Sequence, residues 1–157
     1  MHILQGRDAD KGKAICTLNY CQMNLNKLSN TIIGAAIEVH QILGPGLLES
    51  AYEECLCKEL GLRDLSIERQ KPLPLEYKGD KLDCGYRLDV VVEQAIIIEL
   101  KACKEIEPIH KAQLLTYLKL SKLSLGLLLN FNVPLMRDGI VRIVNKFSNK
   151  LDEFKDS

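Results

Sequence analysis

The chain has 157 residues, a length typical of a single domain with a substantial hydrophobic core. Its 46% hydrophobic and 27% charged residues are typical of a globular protein and exclude an intrinsically disordered one. The 21 basic and 21 acidic residues cancel, which argues against a protein whose main task is tight, non-specific binding of nucleic acid. A local basic groove is still compatible with this total, because an acidic metal site would balance it.

The first 22 residues are polar and show no hydrophobic periodicity, so we predict a mobile tail and note that Met23 could be the natural start. Residues 23–157 are predicted to form one domain, because no proline- or glycine-rich linker divides them. The chain contains neither a long apolar run nor the apolar stretch of a signal peptide. We therefore expect a cytoplasmic protein that does not bind a membrane.

Two helices are predicted in the first third of the chain. Apolar residues recur at three- and four-residue spacing over residues 28–43, the pattern of a helix with one buried face. Gly44-Pro45-Gly46 ends this helix. A second helix is predicted over residues 48–60, with Gly61 as its C-terminal stop.

The rest of the chain is predicted to form strands around one further helix. The strands cover residues 66–71, 73–77, 86–92, 95–102, 125–131 and 140–144, and the helix covers residues 108–121. Three consecutive isoleucines at 96–98 indicate a strand that is covered on both faces. The order is α-α, a β-meander, α, β, β, so we predict an α/β fold in which helices flank a mixed central β-sheet.

Six cysteines are scattered along the chain, and none of them forms a CxxC pair. Free buried thiols are favoured over disulfides, because the sequence carries no secretory signal. Cys55 and Cys57 would diverge on a helix, which suits a zinc site badly.

Ionisable residues interrupt the most apolar part of the sequence. Strand side chains alternate between two faces, so Glu99 and Lys101 share one face of their strand. An unpaired ion there costs on the order of several kcal/mol in lost hydration. Either a structural ion pair of Lys101 with Glu99 or Asp89, or a bound metal ion, would offset this cost. The spacing alone gives these two interpretations about even weight.

The connection between the two strands decides whether Asp89 lies on the same face as Glu99. A two-residue turn at Glu93-Gln94 would set Asp89 opposite Ile98 and turn it away from Glu99. A three-residue loop, which adds Ala95, or a bulge in either strand sets Asp89 opposite Glu99. We therefore predict an odd-numbered loop or a bulge.

Asp89, Glu99 and the backbone carbonyl of Leu100 would then form a partial shell of hard oxygen ligands. Mg²⁺ prefers such ligands, and Mn²⁺ could replace it. The ion would lower the pKa of a bound water and stabilise charge on a phosphodiester oxygen. Lys101 beside it could orient that water or neutralise charge in the transition state.

The segment Gly46-Leu47-Leu48-Glu49-Ser50-Ala51-Tyr52 matches the signature of the GxxExxY family of small bacterial and archaeal proteins. The resemblance covers about residues 25–146 and includes Asp89, the run from Glu99 to Lys101, residues 113–117 and residues 126–131. That family is placed in the PD-(D/E)xK superfamily, which resembles restriction endonucleases. The resemblance implies a restriction-endonuclease-like core and Mg²⁺-dependent hydrolysis of phosphodiester bonds.

The resemblance also implies roles for the residues on the two strands. Asp89 matches the aspartate of the motif, although Leu88 stands where the motif has proline. Glu99 and Lys101 match the (D/E)xK pair. The departure at Leu88 changes little, because only the carboxylate binds the metal.

Two helices contribute further residues by the same resemblance. Glu49 matches an early acidic residue of the superfamily and would be a third metal ligand. Without the resemblance, we would interpret Glu49 as a carboxylate at the N-terminus of a helix, where it interacts with the helix dipole. Tyr52, three residues on, is predicted to be a core tyrosine. Gln113 and Tyr117 resemble the QxxxY element of some exonuclease-like branches, and their spacing places them on one helical face.

Three hypotheses about function follow from these observations. The first is a metal-dependent nuclease that acts on nucleic acid, with DNA favoured over RNA. The second is a non-catalytic module that keeps the nuclease fold and binds nucleic acid or a protein, as neutral charge and small size would suit. The third is a homodimer that pairs through the first helix or an edge strand, and it is compatible with the first.

Overall fold

The computed structural model describes the backbone of residues 8–146 and the side chains of residues 24–146. The helices are α1 (Asp8–Leu43), α2 (Glu49–Leu62) and α3 (Pro108–Ser121). The strands are β1 (Ile67–Pro72), β2 (Leu75–Tyr77), β3 (Asp80–Leu82), β4 (Arg87–Val92), β5 (Ile96–Lys101), β6 (Leu125–Asn130) and β7 (Ile140–Val144). A single 3-10 turn, Met136–Gly139, leads directly into β7.

The central sheet has five strands in the order β1-β4-β5-β6-β7. The pair β5–β6 is parallel and the other three pairs are antiparallel, so the sheet is mixed. Strands β2 and β3 form a separate two-stranded hairpin. The predicted α/β fold with a mixed central sheet between helices is confirmed, and it is consistent with a restriction-endonuclease-like core.

Helices cover both faces of the sheet. Parallel strands need a crossover, and α3 provides the one between β5 and β6. One face of the sheet packs against α1 and α2 through an apolar cluster that includes Ile32, Tyr52, Ile98 and Leu127. The opposite face packs against α3, where Ile97, Leu128 and Leu114 meet. The apolar run of β5 is buried on both faces, as its sequence predicts.

Tyr52 is a core residue, as predicted, and it also shapes the link between α1 and α2. Its ring stacks on Phe131 with 4.5 Å between the ring centroids. Its hydroxyl donates to the carbonyl of Gly44 at 2.6 Å and accepts from the N–H of Leu47 at 3.1 Å. These bonds hold the loop from which α2 begins, and therefore set the position of Glu49.

The predicted stop of α2 at Gly61 is wrong, because the helix continues to Leu62. Arg63 caps it: its N–H donates to the carbonyls of Glu59 and Leu60 at 3.2 and 3.1 Å. The guanidinium of Arg63 also forms ion pairs with Glu59 at 3.0 Å and with Glu38 of α1 at 2.8 Å. Helix α2 thus ends two residues later than the glycine pattern predicted, and the residue that caps it also pairs with α1.

Two further expectations need correction. Helix α1 begins at Asp8, so residues 8–22 have helical backbone where the sequence predicted no regular structure. Whether they move independently of residues 23–146 stays a prediction, and residues 1–7 and 147–157 lie outside the described residues. Strand β3 was not predicted; Lys78 and Gly79, with φ of 50° and 85°, turn the chain back so that β3 pairs with β2. No helix in residues 8–146, α1 included, is both long and apolar enough to cross a membrane.

We expect the glycines at 139 and 61 to respond in opposite directions to alanine. A Cβ at Gly139 would overlap the backbone carbonyl oxygen of Asn130, while a Cβ at Gly61 would meet nothing within 4 Å. Overpacking typically costs about 1–3 kcal/mol, so Gly139→Ala should lower the melting temperature by roughly 5 °C. Gly61→Ala, inside a helix, should raise the free energy of unfolding by about 0.5–1 kcal/mol. Thermal unfolding followed by circular dichroism measures both, and a Gly139→Ala variant as stable as wild type would contradict this packing.

Candidate active site

The loop between β4 and β5 sets two carboxylates opposite each other. Val90 pairs with Ile98 and Val92 pairs with Ile96, which leaves a three-residue loop between the strands. The predicted odd-numbered loop is confirmed. The next position in this register sets Asp89 opposite Glu99, and strand alternation places Glu99 on the same face as Ile97, toward α3.

Side chains replace the backbone ladder at this point of the sheet. The last ladder pair of β4 and β5 is Val90–Ile98. Beyond it, the N–H of Leu100 donates to Oδ2 of Asp89 at 2.9 Å, and the N–H of Asp89 makes a longer contact with Oε1 of Glu99 at 3.4 Å. Each carboxylate is therefore bonded to the strand of the other, which holds the two acidic groups together.

Burial and mutual repulsion change the ionisation of this pair. Burial, followed by the charge of Asp89, raises the pKa of Glu99 from its ordinary value of 4.5 to about 8. Burial also raises the pKa of Asp89, although the hydrogen bond from Leu100 acts in the opposite direction. Near neutral pH, Glu99 is therefore largely protonated and shares its proton with Asp89. A bound divalent cation would favour the ionised form of both groups.

Lys101 lies at the C-terminal end of β5 and is half-buried. Its charge lowers the pKa of Asp89, of Glu99 and of Glu49, so all three carboxylates lie within its electrostatic reach. However, none of the ion pairs within 4.0 Å among the side chains of residues 24–146 includes Lys101, Asp89 or Glu99. Over this part of the chain, the structural ion pair that the sequence left open does not form.

Glu49, the first residue of α2, reaches the same end of β5. Its carboxylate accepts a hydrogen bond from the N–H of Ala102, directly after the strand. Partial burial of the carboxyl raises its pKa, and the charge of Asp89 adds to that increase. The residue as a whole is exposed, so Glu49 lies at the rim of the site and Glu99 in its interior.

Helix α3 brings Gln113 and Tyr117 to the site from the other side. Nε2 of Gln113 donates to the Tyr117 hydroxyl at 2.8 Å, so the two residues share one face of the helix. Tyr117 is buried, and burial is the main cause of its raised pKa. The charges of Glu99 and Asp89 also raise this pKa, so the hydroxyl lies within electrostatic reach of the carboxylate pair.

Sequence reasoning missed two buried polar residues next to the site. Glu53, one helical turn after Glu49, accepts hydrogen bonds from Arg69 at 3.3 Å and from Gln70 at 3.0 Å. Its charge raises the pKa of both Glu49 and Asp89. The four-residue spacing from Glu49 was the available signal.

Asn130 is the second missed residue. It is buried at the end of the otherwise apolar strand β6, which was its only signal. Its amide accepts from the N–H of Cys103 at 3.1 Å and donates to the Cys103 carbonyl at 2.9 Å. Asn130 pairs with Lys101 across the parallel strands β5 and β6. Its hydrogen bonds to Cys103 therefore fix the loop that follows Lys101.

The donor set near Asp89 suits a hard cation, although it is sparse. Within residues 24–146, no group of three or more His, Cys, Asp or Glu side chains is arranged to hold a metal ion. Mg²⁺ commonly takes only one or two protein carboxylates and keeps several waters, so Asp89 and Glu99 are sufficient in kind. The carbonyl of Lys101 accepts from Phe131 at 2.9 Å on the β6 side. Alternation along the strand then turns the Leu100 carbonyl toward β4 and Asp89.

Comparison with known families agrees with this geometry. A family model for the PD-(D/E)XK nuclease superfamily matches residues 26–143, and the chain belongs to this superfamily. No curated protein matches the chain, and neither does any solved structure.

The metal-free protein should become less stable as pH rises toward 8. Because the pKa of Glu99 is raised on folding, the folded chain binds more protons than the unfolded chain between pH 4.5 and about 8. The free energy of unfolding should therefore fall by about 2 kcal/mol from roughly pH 6 to pH 8. Urea unfolding in the presence of a chelator measures this change.

Two variants separate the effect of Glu99 from the rest of the protein. Glu99→Gln keeps the shape and the hydrogen-bonding capacity but cannot ionise, so its stability should lose this pH dependence. Glu76→Gln changes an exposed carboxylate on β2 and should behave as wild type. An equal pH dependence in wild type and Glu99→Gln would show that Glu99 ionises normally.

Proposed function

We propose that this protein is a Mg²⁺-dependent phosphodiester hydrolase that cuts nucleic acid, DNA in preference to RNA, in the cytoplasm. Membership of the nuclease superfamily supports the reaction class. The observation that carries the proposal is the placement of Asp89 opposite Glu99, with Lys101 on the same face and no ion pair among them. A purely structural arrangement would pair Lys101 with one of these carboxylates.

Asp89, Glu99 and the Leu100 carbonyl would hold the ion, with Glu49 as a further ligand from the rim. When bound, Mg²⁺ supplies an activated water and neutralises charge on the phosphodiester; Mn²⁺ would do the same. The protein supplies the carboxylates, and the proton that Glu99 holds without metal must leave when the ion binds. Metal affinity should therefore rise with pH.

The remaining candidate residues act on the substrate. The Lys101 ammonium, close to the carboxylates but not paired with them, is available to stabilise the negative charge that develops on the phosphoryl oxygens. Gln113 and Tyr117 form a hydrogen-bonded pair, and their amide and hydroxyl groups can orient the phosphodiester. Tyr117, whose pKa is raised above the ordinary value of 10.0, is neutral near pH 7 and can donate its hydroxyl proton in a hydrogen bond.

A non-catalytic module with the same fold is the second candidate. Oδ2 of Asp89 is already engaged by the N–H of Leu100, and no three-ligand cluster lies within the described side chains. Both observations suit a protein that has kept the fold and binds nucleic acid or another protein without cutting. Membership of the GxxExxY family and pairing into a homodimer are compatible with either candidate.

Calorimetric titration with Mg²⁺ and with Mn²⁺ tests the metal site. Wild type should bind, more tightly at about pH 8 than at about pH 6, because Glu99 must lose its proton. Asp89→Asn should abolish binding. Asp80→Asn, which changes an exposed aspartate on β3, should bind as wild type does. If wild type shows no binding even when nucleic acid is present, the metal-dependent proposal fails and the second candidate is favoured.

Cleavage of single- and double-stranded DNA and RNA tests the reaction itself. Lys101→Met should lower the cleavage rate by roughly 10²–10³-fold, the usual effect of removing one group that stabilises transition-state charge. Lys81→Met, at an exposed position on β3, is the matched control and should cut at the wild-type rate. Equal rates for Lys101→Met and wild type would remove Lys101 from the chemistry.

A further inference from the structure

A groove with a volume of about 360 Å³ lies beside the candidate active site. It runs between α3, strand β2 and Tyr86, the residue that precedes β4, and we call it the Tyr86 groove. Gln113 and Tyr117 form part of its wall, and the other walls are mainly apolar, with Leu75 and Ile109 among them. The volume falls in the range of about 300–1,000 Å³ that is typical of small-ligand pockets.

Tyr86 presents an aromatic ring in this groove. The residue is 44% exposed, and its ring meets the buried Tyr117 ring edge-on, at 6.2 Å between centroids and 60° between planes. The Tyr86 carbonyl accepts from the N–H of Leu73 at 2.9 Å, which anchors its backbone. Ile109, across the groove on the first turn of α3, is 66% exposed. An anchored aromatic ring and an exposed aliphatic side chain thus face water in the absence of a ligand.

The side chains that line the groove indicate which class of ligand it can bind. None of its lining residues is charged, so it offers nothing to a phosphate group. A flat ring with hydrogen-bonding edges suits it better, because aromatic walls stack on such a ring while Gln113 and Thr116 provide polar groups. Gln113 and Tyr117 line the groove, and the Tyr117 hydroxyl lies within electrostatic reach of Glu99 and Asp89. A ligand in the groove would therefore contact two of the candidate active-site residues, Gln113 and Tyr117.

The zero net charge of the chain also favours binding through a ring over binding through phosphates. Proteins that hold nucleic acid through its phosphates rely on a basic excess, whereas this chain has 21 basic and 21 acidic residues. Stacking of bases on aromatic side chains is an alternative source of affinity that needs no net charge. It is available only to bases that are not already paired and stacked in a duplex.

We infer that the Tyr86 groove binds an unpaired nucleobase next to the phosphate that a divalent cation at Asp89 and Glu99 would hold. The substrate class is therefore single-stranded or locally unpaired nucleic acid, whether DNA or RNA. A duplex would first have to release a base from its stack. This inference rests on the proposed nuclease function for the position of the reacting phosphate, but base binding in the groove can be measured without cleavage.

Fluorescence anisotropy with labelled oligonucleotides, in Ca²⁺ to occupy the carboxylates, provides the test. Wild type should bind a short single strand of DNA or RNA more tightly than a blunt duplex of the same sequence. Tyr86→Ala should weaken single-strand binding roughly tenfold, within the range of one base–aromatic stack, and Tyr86→Phe should bind within about twofold of wild type. Tyr77→Ala is the matched control, because Tyr77 is a 63% exposed tyrosine on β2 that does not line the groove.

Abasic oligonucleotides identify the base in the groove. Removing the base at one position should weaken wild-type binding by the factor that Tyr86→Ala causes, and Tyr86→Ala should then have no additional effect. The inference is overturned if Tyr86→Ala binds the intact strand as tightly as wild type does. It is also overturned if the ratio of the two dissociation constants, variant to wild type, is the same for every abasic strand as for the intact strand.

The two proposals can fail separately. Cleavage that depends on Lys101 but shows no preference for single strands and no change in Tyr86→Ala would support the nuclease function and contradict the base-binding site. Tyr86-dependent binding of single strands without cleavage in Mg²⁺ or Mn²⁺ would leave the base site and remove the catalysis.

Discussion

A buried carboxylate, Glu99, and a half-buried one, Asp89, lie opposite each other on two central strands and impose the main constraint on this protein. Asp89 and Glu99 would repel each other strongly if both were ionised, because little water is present to screen them. In the metal-free protein, the repulsion is relieved by a proton that stays on Glu99 well above the usual range for a carboxyl group. A divalent cation relieves the same repulsion without the proton. The site is therefore unstable in its fully ionised form and ready for a cation.

The surrounding elements supply what the carboxylate pair lacks. The crossover that joins the parallel strands β5 and β6 must pass over one face of the sheet, and it carries Gln113 and Tyr117 to the pair. On the other side, Tyr52 closes the loop before α2 and so brings Glu49 to the end of β5. Asn130 holds the loop after Lys101. The residues with polar chemistry thus converge at one end of β5, and apolar clusters cover the rest of the strand.

The neutral charge of the chain and the uncharged groove near the site favour the same kind of recognition, through bases and not through phosphates. An acidic pair repels a polyanion, and the chain has no basic excess to compensate. A bound cation would reverse the local field, while the uncharged Tyr86 groove offers affinity through stacking. Recognition through bases would make binding less dependent on salt than recognition through phosphates. The buried carboxylate of Glu53, which accepts hydrogen bonds from the exposed Arg69 and Gln70, keeps a further negative charge near Asp89.

The sequence by itself determined the features that depend on short-range regularities. Strand alternation placed Glu99 and Lys101 on one face, and helical spacing put Gln113 and Tyr117 together. The requirement that Asp89 lie opposite Glu99 predicted an odd-numbered loop or a bulge between their strands, and the structure has the three-residue loop. Only the tertiary structure decided which elements meet. It brings Tyr117 of α3 and Glu53 of α2 within electrostatic reach of the carboxylates. It also leaves Lys101 without an ion pair within 4.0 Å among the described side chains. The reason is physical, because period and loop length act between neighbours in the chain, whereas burial, charge and hydrogen bonding between elements depend on how the elements pack.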